Sequence, residues 1–173
     1  MKSFKQHIFE KLKVSKNPYT LFPKTKEELK HMIEDEISKN GNECSLNHID
    51  VSKITDMSGL FYMSKFNGYI SEWNVSNVTD MRYMFYNSKF NGDISNWDVS
   101  NVENMKVMFY GSNFNGDISK WNVSNVKNMY AMFAYSAFSE DISNWDVSSV
   151  ENMRSMIAST PLEKKPPKWY KKQ

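Results

Sequence analysis

Only one cysteine, Cys44, stands among the 173 residues, so no internal disulfide can staple the chain. The three histidines do not combine with it in any zinc-ligand spacing. No apolar run is long enough to span a bilayer. The opening MKSFKQHIFEKLKV is interrupted by Lys2, Lys5, Glu10, Lys11 and Lys13, which leaves no apolar centre for a signal peptide and no lipid-attachment cysteine. A cytoplasmic or virion location is therefore expected, and the sequons at Asn74, Asn77 and Asn122 count as by-products of a repeat. Strong charge of one sign is missing too. Lys and Arg number 22 against 20 Asp and Glu, a formal net charge of +2 that argues against nucleic-acid and membrane partners. With 40% hydrophobic residues the chain is nevertheless rich enough to fold as one domain.

What is present is periodic. Trp73, Trp97, Trp121, Trp145 and Trp169 are all of the tryptophans, and each interval is 24 residues. Other ladders keep the same step. They include Val51, Val75, Val99, Val123 and Val147; Met57, Met81, Met105, Met129 and Met153; and Phe61, Phe85, Phe109, Phe133 and Ile157. Phe66, Phe90, Phe114, Phe138 and Leu162 form another, followed by Ile70, Ile94, Ile118 and Ile142. Self-similarity at 20 to 50 residues marks a stacked-repeat architecture.

Within one copy, Ile94, Trp97 and Val99 end in an alternation that predicts a short strand near Asn96 to Val99. Val102, Met105, Met108 and Phe109 then follow the inward stripe of a short helix. Ser100, with Ser52, Ser76, Ser124 and Ser148 in the same place, reads as its N-cap rather than as a nucleophile. Phe114-Asn115-Gly116-Asp117 and its equivalents turn the chain toward the next strand. The expected fold is an α/β repeat: a right-handed leucine-rich-repeat-like solenoid, with one short parallel strand and one short helix per 24-residue coil.

Such a stack needs covers. Thr25-Lys26-Glu27-Glu28 is a capping box opening a helix with Leu29, Met32, Ile33 and Ile37 on one face and an end near Asn40-Gly41. Pro166 and Pro167 stop the array at its other end. The organisation expected is an amphipathic leader over 1–20, a helical N-terminal cap over 21–45, a five-copy solenoid over 46–160, and a degenerate capping repeat with a basic tail over 161–173.

From Trp73 to Ser95, WNVSNVTDMRYMFYNSKFNGDIS resembles the BspA-like bacterial surface-protein repeat, a leucine-rich-type repeat of surface lipoproteins and of some phage and large-virus genomes. The resemblance covers roughly Leu46 to Thr160. It implies a solenoid that binds proteins or builds surfaces, with no shared catalytic residues. The leader, with YTLFPKTKEELKHMIEDEISKNG, is similar to those of phage-encoded versions.

No cofactor, metal or small-molecule substrate is expected. His7, His31 and His48 all precede the regular array. Asp93, Asp117 and Asp141 could relieve their mutual repulsion by binding a cation such as calcium, or by capping Asx turns in water. If the chain works by contact, the specificity belongs to positions that vary between copies. One set flanks the expected strand: Glu72, Asn96, Lys120 and Asn144, with Asp98 and Asp146 beside them. The other lies on the expected helix: Lys106, Tyr130 and Arg154. In the leader, Phe4, Ile8, Phe9 and Leu12 share a helical face that could dock on a partner or fold back on the cap. The function expected is a non-enzymatic scaffold, monomeric unless assembled in a particle, that acts on an unidentified protein partner. A secreted surface adhesin and a hydrolase carried on the solenoid are the alternatives.

Overall fold

The computed structural model describes residues 17–171. Among the described residues the one α-helix, α1, runs Lys26–Asn40. The Thr25 hydroxyl accepts the Glu28 N–H at 3.2 Å, and the Glu28 carboxylate reaches back to the Lys24 N–H at 2.7 Å, which satisfies two donors at the helix start. Gly41, at φ 84°, returns its N–H to the Ile37 carbonyl and ends the helix. Leu29 and Ile33 are buried against the first copy, and His48 lies 3.4 Å from Glu36. At the N-terminal end of α1, the Lys26 ammonium reaches the Asp56 carboxylate and the Ser58 hydroxyl.

Successive copies lie side by side in register. The ring centroids of Phe61, Phe85, Phe109 and Phe133 follow one another at 5.4, 5.4 and 5.6 Å with nearly parallel planes. Phe66, Phe90, Phe114 and Phe138 repeat at 6.2 to 6.3 Å. Most of the residues of the apolar ladders are buried, because each copy covers its neighbour with the same side chains. Contacts of this kind add about 0.5–1.5 kcal/mol per aromatic pair beyond area burial.

The backbone makes this register differently from the expectation of a strand and a helix in every copy. Near Asn96 to Val99 the chain forms turns: Trp97 N–H bonds the Ile94 carbonyl and Val102 N–H bonds the Val99 carbonyl. Those bonds close within the copy, so the segment makes no strand. Parallel bridges instead join Asp56 to Asp80, Asp80 to Asn104, Asn104 to Asn128 and Asn128 to Asn152.

Over Val102 to Phe109 an α-helix would send each N–H to the carbonyl four residues back. Here alternate donors leave for the next copy. The N–H groups of Met105, Val107, Phe109 and Gly111 bond the carbonyls of Asn128, Tyr130, Met132 and Ala134 at 2.8 to 2.9 Å. Between them, Met108, Tyr110 and Ser112 bond three residues back. Left-handed backbone at Val107, φ 49°, and Gly111, φ 63°, enforces the alternation, and Tyr83, Asn87, Ala131, Tyr135, Ser155 and Ser159 repeat it. The result is a ladder of turns across the stack.

Ser100 is correspondingly not a helix cap. Its N–H donates to Asp98 Oδ1 at 3.1 Å, an Asx turn repeated by Ser52 on Asp50, Ser76 on Asn74, Ser124 on Asn122 and Ser148 on Asp146. Amide side chains also cross between copies. Asn77, Asn101 and Asn125 donate to the carbonyls of Ser52, Ser76 and Ser100 at 2.7 to 2.8 Å.

At the C-terminal end, a 3-10 turn over Pro161–Lys164 buries Leu162 at the end of its ladder. Trp169 keeps the repeat bond, donating its indole N–H to the Ile142 carbonyl at 3.2 Å. In the last copy the Ser159 N–H is taken by Glu163, while those of Met153, Ser155 and Ile157 have no acceptor among the described residues.

Candidate protein-binding face

The nine binding candidates read from the repeat do not form one surface. Glu72, Asn96, Asp98, Lys120, Asn144 and Asp146 are exposed around the Trp-bearing turns, whereas Lys106, Tyr130 and Arg154 sit on the turn ladder. Lys106 is half-buried, its ammonium 5.7 Å from the centre of the Tyr130 ring. Phe4, Ile8, Phe9 and Leu12 lie outside the described residues.

On the first surface the two aspartates are occupied locally. Hydrogen bonds from the Ser100 hydroxyl and N–H hold the Asp98 carboxyl below the usual carboxylate range, and Ser148 does the same for Asp146. Asp93, Asp117 and Asp141 likewise accept the N–H groups of Ser95, Ser119 and Ser143, each at 2.9 Å. Their carboxyls are depressed by those serine bonds. These are the Asx turns, and among the described residues no three His, Cys, Asp or Glu side chains converge as metal ligands would. Nucleophiles are similarly engaged. The Ser76 and Ser124 hydroxyls donate to Asn74 and Asn122 at 2.7 and 2.8 Å, and burial pushes the Cys44 thiol up, away from the thiolate.

A cavity of about 420 Å³ opens where the 3-10 turn leaves the stack, lined by residues including Ser139, Asp141, Leu162, Lys165 and Lys168. Its charges oppose one another, with Lys165 contributing to the depression of the Asp141 carboxyl.

The turn ladder carries a feature that periodicity of the core did not announce. Tyr62, Tyr86 and Tyr110 stack outside the core with centroids 4.9 and 5.1 Å apart and planes within 9° of parallel. The next equivalent position is Ala134, but Tyr135, one residue out of register and at φ 59°, puts its ring 5.3 Å from that of Tyr110. Beneath this row Val107, Ala131 and Ala134 form a second small apolar cluster. Desolvation, followed by the neighbouring Tyr135, Tyr86 and Tyr130 phenols, pushes the Tyr110 hydroxyl above its ordinary range. Among the described residues, five of the seven exposed large apolar side chains are here: Tyr62, Met63, Tyr83, Tyr130 and Tyr135. The 24-residue step from Tyr62 to Tyr110 was visible in the sequence, although nothing in it separated an outer ring row from a core one.

One protein family matches, described as a mycoplasma protein of unknown function, DUF285, over residues 27–135 and again over 111–172. No curated protein and no solved structure matches. Among the described residues no helix is long and apolar enough to cross a membrane.

Proposed function

The chain belongs to the DUF285 family, the BspA-like repeat family, and from that premise we propose that it is a non-enzymatic repeat scaffold acting by protein–protein contact. The stack itself we read as a solenoid of the leucine-rich-repeat kind, with turns in place of its strands and helices. One observation carries the reading. A row of stacked tyrosines, Tyr62 exposed and Tyr86 and Tyr110 half-buried, lies outside the core with Met63, Tyr83, Tyr130 and Tyr135 exposed on the same turn ladder, and aromatic surface patches of this kind mark contact sites.

The chain works as a monomer or within a larger particle, inside the producing cell or in a virion assembled there. The similarity of its first residues to phage-encoded versions of the repeat supports that placement, and the lone cysteine suits a reducing compartment. A photo-crosslinking amino acid at Tyr110, compared with one at Asn122, tests the contact reading in cells that make the protein. Protein adducts concentrated at position 110 are expected. Adducts at neither position would sink the reading.

A further inference from the structure

Charge is unevenly distributed over each copy. The turn-ladder segments 58–65, 82–89, 106–113, 130–137 and 154–161 contain Lys65, Arg82, Lys89, Lys106 and Arg154 and not one carboxylate. The intervening segments 66–81, 90–105, 114–129 and 138–153 contain ten acids and only two lysines, Lys120 and Lys127. A chain of net charge +2 therefore carries a cationic arc and an acidic arc around the same core. The stacked tyrosines lie on the cationic one.

We propose that this tyrosine row is a docking strip for an acidic, extended segment of another protein, whose carboxylates meet the flanking cations while its apolar side chains lie against the rings. The proposal rests on the contact reading above and adds the chemistry of the partner. Charge complementarity selects the sign. Arg82 is held by Asp80 at 2.8 Å, but Lys65, Lys89 and Arg154 are exposed and have no ion-pair partner within the stack. Lys106, poised over Tyr130, combines a cation with a ring face. Phenol groups supply rigid apolar area and a hydrogen bond from each hydroxyl at low entropic cost, as contact surfaces use them. From Tyr62 to Tyr135 the row is about 15 Å long at roughly 5 Å per copy, which an extended segment of about five residues spans.

Aromatic and basic residues together also suit single-stranded nucleic acid, but the ring spacing opposes it. Bases bind such proteins by stacking on free ring faces. With a base thickness of about 3.4 Å on each side, insertion needs a gap near 7 Å. The rings stand 4.9 and 5.1 Å apart, so each inner face is already covered by its neighbour.

The test uses the full chain and a fluorescein-labelled octapeptide alternating glutamate with leucine, followed by anisotropy at low and high salt. Controls are the same peptide with lysine for glutamate, an oligo-dT strand, and a labelled copy of the protein itself. Saturable binding of the acidic peptide is expected, weakened at least tenfold when Arg82, Lys106 and Arg154 are all changed to Glu, and by a similar factor in Tyr86→Ser/Tyr110→Ser. A second variant, Asp98→Asn/Asp146→Asn on the acidic arc, should bind as the parent does. Unchanged melting temperatures separate a lost strip from a lost fold. The proposal is overturned by equal affinity for the lysine peptide, by binding of oligo-dT in place of the peptide, or by self-association as the sole interaction. If crosslinks at Tyr110 persist while the acidic peptide shows no preference, the partner chemistry is wrong and the contact reading stands. If both vanish, both are wrong.

Discussion

The indole N–H of Trp121 donates to the carbonyl of Ile94, 3.1 Å away in the preceding copy. Trp73, Trp97, Trp145 and Trp169 make the same bond with Leu46, Ile70, Ile118 and Ile142. A buried indole must place its donor somewhere, and here the donor joins one copy to the previous one. That is why the position holds tryptophan in a core where phenylalanine already fills two other ladders.

Trp121→Phe preserves an aromatic ring and removes the donor. The Ile94 carbonyl keeps its bond from the Trp97 N–H, so the expected loss is about 1–2 kcal/mol. Trp121→Ala adds a cavity and should cost about 3–5 kcal/mol. Urea denaturation reads both, and equal losses for the two variants would show that the inter-copy bond contributes nothing.

Gly68 and Gly41 make contrasting targets. A Cβ at Gly68 would lie 2.0 Å from the Cys44 carbonyl oxygen, part of the backbone that joins the cap to the array. At Gly41 no atom lies within 4 Å and only the φ of 84° opposes a side chain. Gly68→Ala should therefore lower stability by more than about 2 kcal/mol, and Gly41→Ala by about 1 kcal/mol. The order of the two melting temperatures checks this.

Acid should weaken the Asx turns. The carboxyls of Asp93, Asp98, Asp117, Asp141 and Asp146 are depressed in the folded chain because serine groups bond their ionised form. For a depressed carboxyl, the stabilisation is present above the unfolded value, near 3.9, and lost as pH falls through the folded one. The urea midpoint should thus be level from pH 7 to about 5 and decline below about 4. Asp98→Asn with Asp146→Asn, which copy the Asn already present at 74 and 122, should reduce that decline. A decline unchanged in the double variant would place the acid sensitivity elsewhere.

Amide hydrogen exchange should report the direction of the turn ladder. The N–H groups of Met105, Val107 and Phe109 bond the next copy and should exchange slowly. Those of Met153, Ser155 and Ile157, equivalent by 48 residues but without an acceptor among the described residues, should exchange faster, even though the Ile157 side chain is buried. Comparable protection at Phe109 and Ile157 would contradict the ladder.

Particular residues show where sequence reading succeeds and where it stops. Thr25 and Gly41 announce α1 because their side-chain chemistry acts on neighbours within a few residues. The Asx turns at Asp93, Asp117 and Asp141 are local for the same reason. Val102, Met105, Met108 and Phe109, by contrast, have a spacing that a helix and a turn ladder satisfy equally, since both bury the same four side chains. Side-chain periodicity is silent on whether the Met105 N–H bonds within its copy or to Asn128. The tyrosine row was obscured in a related way: Tyr135 reaches Tyr110 only because its left-handed backbone carries it over Ala134.

By itself the sequence determined which residues are buried and that every copy presents the same ones to its neighbours, because burial is a property of side-chain type at a fixed interval. Only the tertiary structure decided the hydrogen-bonding partners and which surface retains the aromatic rings. Those depend on backbone direction and on groups 23 to 27 residues apart, which meet only when one copy has settled against the next.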